Sequence, residues 1–297
     1  MKKIRPEGIY IPMVTPFKDD ASREIDDEAL RDLINFLIDK GVQGLVPCGC
    51  TGEYMFLSKE EHQRVVEITV DEANGRVPIF AGAGNPGTKN AMDLAKHAKD
   101  VGADGVMVIT PHREHPSDEG IYTHFDMIAE EVDVPVMIYN FPDVTGFDIP
   151  PHVVSRLADL NNIVALKEST HSFFHLAEII RLCKNKITVL KGFSEDLLPA
   201  LVVGAQGGIS SAYNIVPDLM VDLYQSFMRG DVKRAREIHF KLMPLWGMGL
   251  SPSTIKEALN MLGRPIGPPR EPLLPASQEE KIKLREILLN LGILQDV

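Results

Sequence analysis

Ile163-Val-Ala-Leu-Lys-Glu-Ser169 sets four apolar residues directly before a lysine. A short apolar run without polar alternation describes a strand covered on both faces, the kind that builds a parallel sheet. The charged end is unusual, because charged side chains are rarely fully buried without a partner or a task. An amine at the end of an apolar strand is desolvated, which lowers its pKa and frees it to attack a carbonyl and form a Schiff base. The plainer alternative is a lysine that marks where a strand meets solvent.

The same grammar repeats on both sides of this stretch. Strand-like runs stand at Ile9–Pro16, Gly44–Cys48, Val77–Ala83, Gly105–Thr110, Pro135–Phe141, Ile163–Lys167, Thr188–Gly192 and Gly207–Ser211. Amphipathic helical stretches separate them, at 26–40, 58–74, 88–101, 118–131, 150–160, 172–184 and 195–203. Ser58 and Glu61 have capping-box spacing, and Gly41, Gly75 and Gly102 follow helix ends. Eight strands alternating with helices predict an α/β fold, a (β/α)8 TIM barrel. Gly82-x-Gly84-x-x-Gly87 has dinucleotide-binding spacing, but it follows the third strand and carries Pro86, so that reading is set aside. Residues 217–229, 232–242, 253–261 and 277–291 read as further helices, with a Pro-rich connector at 263–275. The expected organisation is a catalytic barrel over 1–216 and a C-terminal helical extension over 217–297 packed upon it.

Composition bounds the partners. The chain has 297 residues and a formal net charge of −11, which argues against nucleic acid and anionic membrane as partners. Its three cysteines, Cys48, Cys50 and Cys183, form no disulfide framework and suggest a reducing, cytoplasmic setting. No apolar core follows Met1-Lys-Lys, so no signal peptide is expected, and no run is long enough to span a bilayer.

Active sites in such barrels lie at the C-terminal ends of the strands. There stand Cys48-Gly-Cys-Thr-Gly-Glu53, Thr110-Pro-His-Arg-Glu-His115, Tyr139-Asn-Phe-Pro142, Lys167-Glu-Ser169 and Gly208-Ile-Ser-Ser211. The glycine-flanked turn around Cys50, Thr51 and Gly52 offers amides and a hydroxyl to a carboxylate or phosphate. Tyr139 shares parity with Met137 and Pro135, and Lys167 with Ala165 and Ile163, so a phenol and an amine meet at the barrel mouth if both faces point inward. Such a phenol can move protons for a Schiff base. Cys48 reads as a small buried hydrophobe rather than a zinc ligand. His171 and His175 read as helix-start residues lining the pocket rather than a metal pair, since no carboxylate stands at ligand spacing.

Taken in order, Gly49-Cys-Thr-Gly-Glu53, Tyr139-Asn-x-Pro142 and Lys167-Glu-Ser169 resemble the dihydrodipicolinate synthase / N-acetylneuraminate lyase family of class I aldolases. Val14-Thr-Pro16, Thr110-Pro111 and Gly208-Ile-Ser210 extend the resemblance along the chain. It implies a Schiff base between Lys167 and a 2-keto acid, Tyr139 as proton carrier, the Cys50–Thr51 turn on the substrate carboxylate, and Ile209 with its carbonyl facing the site. It implies no metal and no organic cofactor, and a cytoplasmic homotetramer. Three positions depart from the lysine-precursor synthases. Cys50 replaces a hydroxyl, His112 and Arg113 fill the places of paired tyrosines, and Val144 stands where an arginine is usual. Arg113, His112, His171 and Val144 are therefore candidates for aldehyde selection. The main expectation is an aldolase joining or cleaving pyruvate and an aldehyde, as in a 2-keto-3-deoxy sugar acid. The alternative is condensation of pyruvate with aspartate semialdehyde. A barrel that binds a 2-keto acid without turnover is the reading from another class.

Overall fold

The computed structural model describes residues 4–112 and 114–295. Its eight parallel strands are β1 (Gly8–Pro12), β2 (Gly44–Val46), β3 (Phe80–Gly82), β4 (Gly105–Ile109), β5 (Val136–Asn140), β6 (Ile163–Glu168), β7 (Thr188–Lys191) and β8 (Gly207–Ile209). They run in the order β2-β1-β8-β7-β6-β5-β4-β3. A parallel bridge between Leu45 and Ile79 and the bond from Gly82 N to Pro47 O, 2.9 Å, join the two ends and close a TIM barrel. Each expected strand forms within its expected run or one residue beyond it, and most are shorter, because pairing stops where the chain turns into a loop.

The seven helices expected between the strands form as α1 (Asp27–Asp39), α2 (Lys59–Ala73), α3 (Thr88–Asp100), α4 (Asp118–Glu131), α6 (Pro151–Leu157), α7 (Phe173–Cys183) and α8 (Leu197–Val203). Asp26, Ser58, Ser117 and Ser172 cap α1, α2, α4 and α7 by accepting a backbone N–H, and Ser58 with Glu61 forms the expected capping box. One further turn, α5 (Pro142–Thr145), follows β5; proline at its first position and Gly146 at φ 82° begin and end it. Its proline and glycine were visible in the sequence, but four residues carry no helical periodicity.

Side chains alternate between two layers, as a strand's period of two requires. Tyr10, Val46, Phe80, Met107, Met137, Ala165, Leu190 and Ile209 fill the barrel, while Ile9, Ile11, Leu45, Val106, Val136 and Leu166 face the helices. One irregularity breaks the expected parity. Val136 pairs with Ile163 but Met137 pairs with Ala165, so Ile163 packs with the outer layer and Val164 with the inner one. The slip lies at the start of β6 and leaves its functional end in register.

The extension comprises α9 (Pro217–Met228), α10 (Val232–Trp246), α11 (Pro252–Met261) and α12 (Gln278–Leu291). α10 runs past the expected end at 242 and through Pro244. Proline costs one hydrogen bond there, and Leu245 and Trp246, both buried, hold the last turn. The Pro-rich connector packs against the loop after β1, where Phe17 N donates to Ile266 O at 3.1 Å.

Candidate active site

Parallel pairing sets Tyr139 of β5 directly beside Lys167 of β6. The Lys167 nitrogen stands 3.8 Å from the centroid of the Tyr139 ring, and both side chains are almost fully buried. Burial lowers the Lys167 pKa to about 8, with Cys50 opposing the shift. Burial also pushes the Tyr139 phenol well above its usual range. Near neutral pH a minor but useful fraction of the amine is therefore uncharged, and the phenol keeps its proton. Two neighbouring groups with pKa values moved so that one attacks and the other donates form an acid–nucleophile pair. Side-chain hydrogen bonds link the phenol to Ser169 and to the Cys50 thiol, and Phe141 stacks on its ring at 5.5 Å.

The Cys50–Thr51 turn follows β2. Gly52 N and Glu53 N donate back to the carbonyls of Gly49 and Cys50. Thr15 Oγ1 donates to Gly52 O at 2.7 Å, which ties the turn to the loop after β1. Cys48 is buried in the outer layer, as expected of a small hydrophobe. Burial raises the Cys50 thiol pKa, so this side chain stays protonated.

Cys50, Thr51, Tyr139, Lys167 and Ser169 open into one cavity of about 330 Å³. Its far wall carries Ser194, Glu195, Ser210 and Ser211, and Trp246, Leu250 and Ile255 of the extension close one side. Ser194 donates to Ser210 at 2.6 Å. Gly192 leaves room for Ser169, since a β-carbon there would fall 1.8 Å from its hydroxyl.

A polar network stands behind this pair, outside the cavity lining. Asn140 Nδ2 donates to Glu168, at 2.8 Å, and to Asp148. Burial and Asp148 raise the Glu168 pKa to about 8. His175 approaches Asp148 at 3.4 Å and Glu168 at 4.0 Å. Lys191 reaches the Thr170 carbonyl and Asp196, so a cation flanks the carboxylates. The expectation that no carboxylate stands at ligand spacing to these histidines is thus corrected for both: His175, outside the cavity lining, faces Asp148 and Glu168, and His171, which precedes α7 and is mostly exposed, has Asp143 beside it. His171 stacks on Phe193 of the cavity rim at 4.3 Å and pairs with Asp143 at 3.1 Å.

The remaining candidates disperse. His112 lines a separate groove with Tyr54, Met55, His62 and Asn85, because the loop after β4 leans towards β3. Arg113 lies outside the described residues. Val144 sits on α5, 43% exposed and outside the cavity lining. Gly52 is buried beneath the turn, and Ile209 ends β8 in the inner layer. Ser194, Glu195 and the C-terminal wall escaped sequence reading. Leu250 and Ile255 join residues far away in the chain and leave no local pattern, whereas polar Ser194 and Glu195 after β7 were a usable signal.

The model of the dihydrodipicolinate synthetase family matches residues 5–291. A curated relative from Syntrophus aciditrophicus, named 4-hydroxy-tetrahydrodipicolinate synthase, is 42% identical over 97% of this chain and 99% of its own. The crystal structure of dihydrodipicolinate synthase from Aquifex aeolicus shares 39% identity and a TM-score of 0.93, covering 98% of this chain and all of that one. A prophage protein of the dihydrodipicolinic acid synthase family from E. coli K12, in complex with pyruvate, shares 33% identity and a TM-score of 0.92 over 97% and 99% of the two chains.

Proposed function

This chain belongs to the dihydrodipicolinate synthetase family, whose members are pyruvate-dependent lyases that form a Schiff base with a lysine, and from that premise we propose that it joins pyruvate to an aldehyde as a 4-hydroxy-tetrahydrodipicolinate synthase. The observation that carries the reaction type is the Lys167 amine, 3.8 Å above the Tyr139 ring and with its pKa brought down to about 8. The full-length relatives at about 40% identity carry the choice of aspartate semialdehyde as the aldehyde.

The chemistry balances with the residues at hand. The Lys167 nitrogen adds to the ketone carbon of pyruvate, and the ketone oxygen leaves as water after taking two protons, leaving an imine. The imine nitrogen takes a proton, loss of a methyl proton from that iminium gives a neutral enamine, and its terminal carbon attacks the aldehyde carbon, regenerating an iminium that water later hydrolyses to free the product and the Lys167 amine. The new alkoxide takes a proton from Tyr139, which is kept protonated by burial. Thr51 and the adjoining amides hold the pyruvate carboxylate and so aim the ketone at the amine. Holding a bare 2-keto acid as a sensor would have no use for a nucleophile.

A second reading has its own observation. Among the described residues lining the cavity, Lys167 is the only cation, while four serines and Glu195 supply hydroxyls and one carboxylate. Such a wall suits a polyol aldehyde, the 2-keto-3-deoxy sugar acid reading, better than an aldehyde bearing its own carboxylate. Borohydride reduction with pyruvate, followed by mass spectrometry, tests the shared chemistry; a pyruvyl increment missing from Lys167 refutes it. Relative kcat/KM for aspartate semialdehyde and a panel of hydroxyaldehydes then decides the substrate. We also assign the enzyme to the cytoplasm as a homo-oligomer, a tetramer by family resemblance, which light scattering of the purified chain tests.

A further inference from the structure

Glu53 ends the turn that carries Cys50 and Thr51, yet its carboxylate is buried and outside the cavity lining. One carboxylate oxygen lies 2.6 Å from the Lys256 ammonium, and the other accepts the backbone N–H of Arg270 at 2.8 Å. Lys256 is itself fully buried, with its nitrogen 3.1 Å from the Pro268 carbonyl and 4.0 Å from the Phe17 ring centroid. The Arg270 guanidinium grips Glu61 with two bonds of 2.7 and 2.8 Å, and also reaches the carbonyls of Phe56 and Arg23. Arg270 and Glu53 are 217 residues apart. The C-terminal connector and α11 therefore fasten both ends of the segment between Glu53 and Glu61.

Stability is a weak reason for this arrangement. Removing two charges from water offsets much of their attraction, and apolar pairs of similar volume often serve a core as well. Backbone geometry gives a better one. Cys48 and Glu53 both hold left-handed conformations, at φ 56° and 58°, without being glycine. Non-glycine residues stay there only where their surroundings impose it. Glu53 lies two residues after Thr51, and Lys256 lies next to Ile255; Thr51 and Ile255 both line the cavity. The ion pair thus links two cavity walls from behind.

We propose that Glu53, Lys256 and Arg270 form a lock that fixes the height and tilt of the Cys50–Thr51 turn, which makes Lys256 a positioning residue for the carboxylate of the 2-keto acid. The inference deepens the proposed function and rests on its reading that this turn holds that carboxylate. It acts on substrate binding rather than on proton transfer, because the lock touches neither Lys167 nor Tyr139.

The test is steady-state kinetics of Lys256→Met, Glu53→Gln and Thr51→Val, with thermal unfolding of each. The lock predicts that folded Lys256→Met and Glu53→Gln raise the pyruvate KM on the order of tenfold, while kcat at saturating pyruvate changes by less than about threefold. The double variant is expected to be no worse than either single one, as befits one coupled unit. Lys281→Ala, which removes the Lys281–Glu257 pair between α12 and α11, controls for general loosening and is expected to leave KM unchanged. If Lys256→Met fails to fold, Lys256→Gln is read in its place, since it keeps a donor for the Pro268 carbonyl. A folded Lys256 variant with unchanged pyruvate KM, alongside a Thr51→Val variant whose KM rises, overturns the lock alone. An unchanged KM in Thr51→Val overturns the carboxylate reading and the lock with it.

Discussion

Lys167 is held in a place that suits a free amine and not an ammonium ion. Its folded pKa of about 8 lies below the ordinary lysine value of 10.5, so between those limits the folded chain binds fewer protons than the unfolded one. Stability therefore rises with pH across that window, and the penalty is complete below pH 8. Lys167→Met is expected to form no pyruvyl adduct, to lose activity, and to be more stable than the parent at pH 7 by about 1–3 kcal/mol, an advantage that fades by about pH 10. Urea melts at pH 7 and 10 measure it; a destabilised variant would make the amine structural. Schiff-base formation by the parent is expected to speed up as pH rises through about 8. Tyr139→Phe is expected to lower kcat by about 10²–10⁴-fold while adduct trapping persists, as stopped-flow and mass spectrometry would report. Val144→Arg sets a long cationic side chain on α5, three residues after Phe141 of the cavity lining, and raised relative kcat/KM for aspartate semialdehyde over hydroxyaldehydes is the expected outcome if it reaches the cavity. These residues were readable for different reasons. Lys167 and Tyr139 were exposed by parity along two short strands, and the Cys50–Thr51 turn by its glycines. His112 was misplaced because nothing in a loop's composition states which way it leans.

At the scale of the element, the barrel was legible almost strand by strand, since apolar runs and helix caps are local signals. The start of β6 was not, because the slip opposite Val136 depends on how two strands settle against one another. The closure between β2 and β3 is equally hidden. It depends on Gly82, where a β-carbon would lie 2.1 Å from the Cys48 carbonyl oxygen. That neighbour is backbone at the base of the Cys50–Thr51 turn and cannot swing aside. Gly82→Ala is therefore expected to cost about 1–3 kcal/mol by overpacking, read as a lower urea midpoint with an unchanged slope. A neutral substitution would mean that the β2–β3 join is looser than drawn.

At the scale of the whole molecule, the helices after residue 216 were legible as helices, but their part in the site was not. Amphipathic periodicity says that a face is buried and does not say against what. Leu242, Leu245, Ile255, Leu259, Leu284 and Leu288 belong to the same apolar cluster as the outer faces of the strands. Trp246, Leu250 and Ile255 then carry that continuity into the cavity wall. A barrel cut at 216 would expose the inner faces of α9's partners, lose the lock on the Cys50–Thr51 turn, and open one side of the cavity to water. Fully burying each such leucine is worth about 1.5–3 kcal/mol, so losing several exceeds the usual margin of a folded domain. The intact chain is expected to unfold in one cooperative transition, with fluorescence of Trp246 in the extension and far-ultraviolet dichroism of the barrel changing together. Residues 1–216 alone are expected to fail to fold and to form no pyruvyl adduct. A soluble, cooperatively melting fragment that still traps pyruvate would make the barrel an independent domain, with the extension only an attachment.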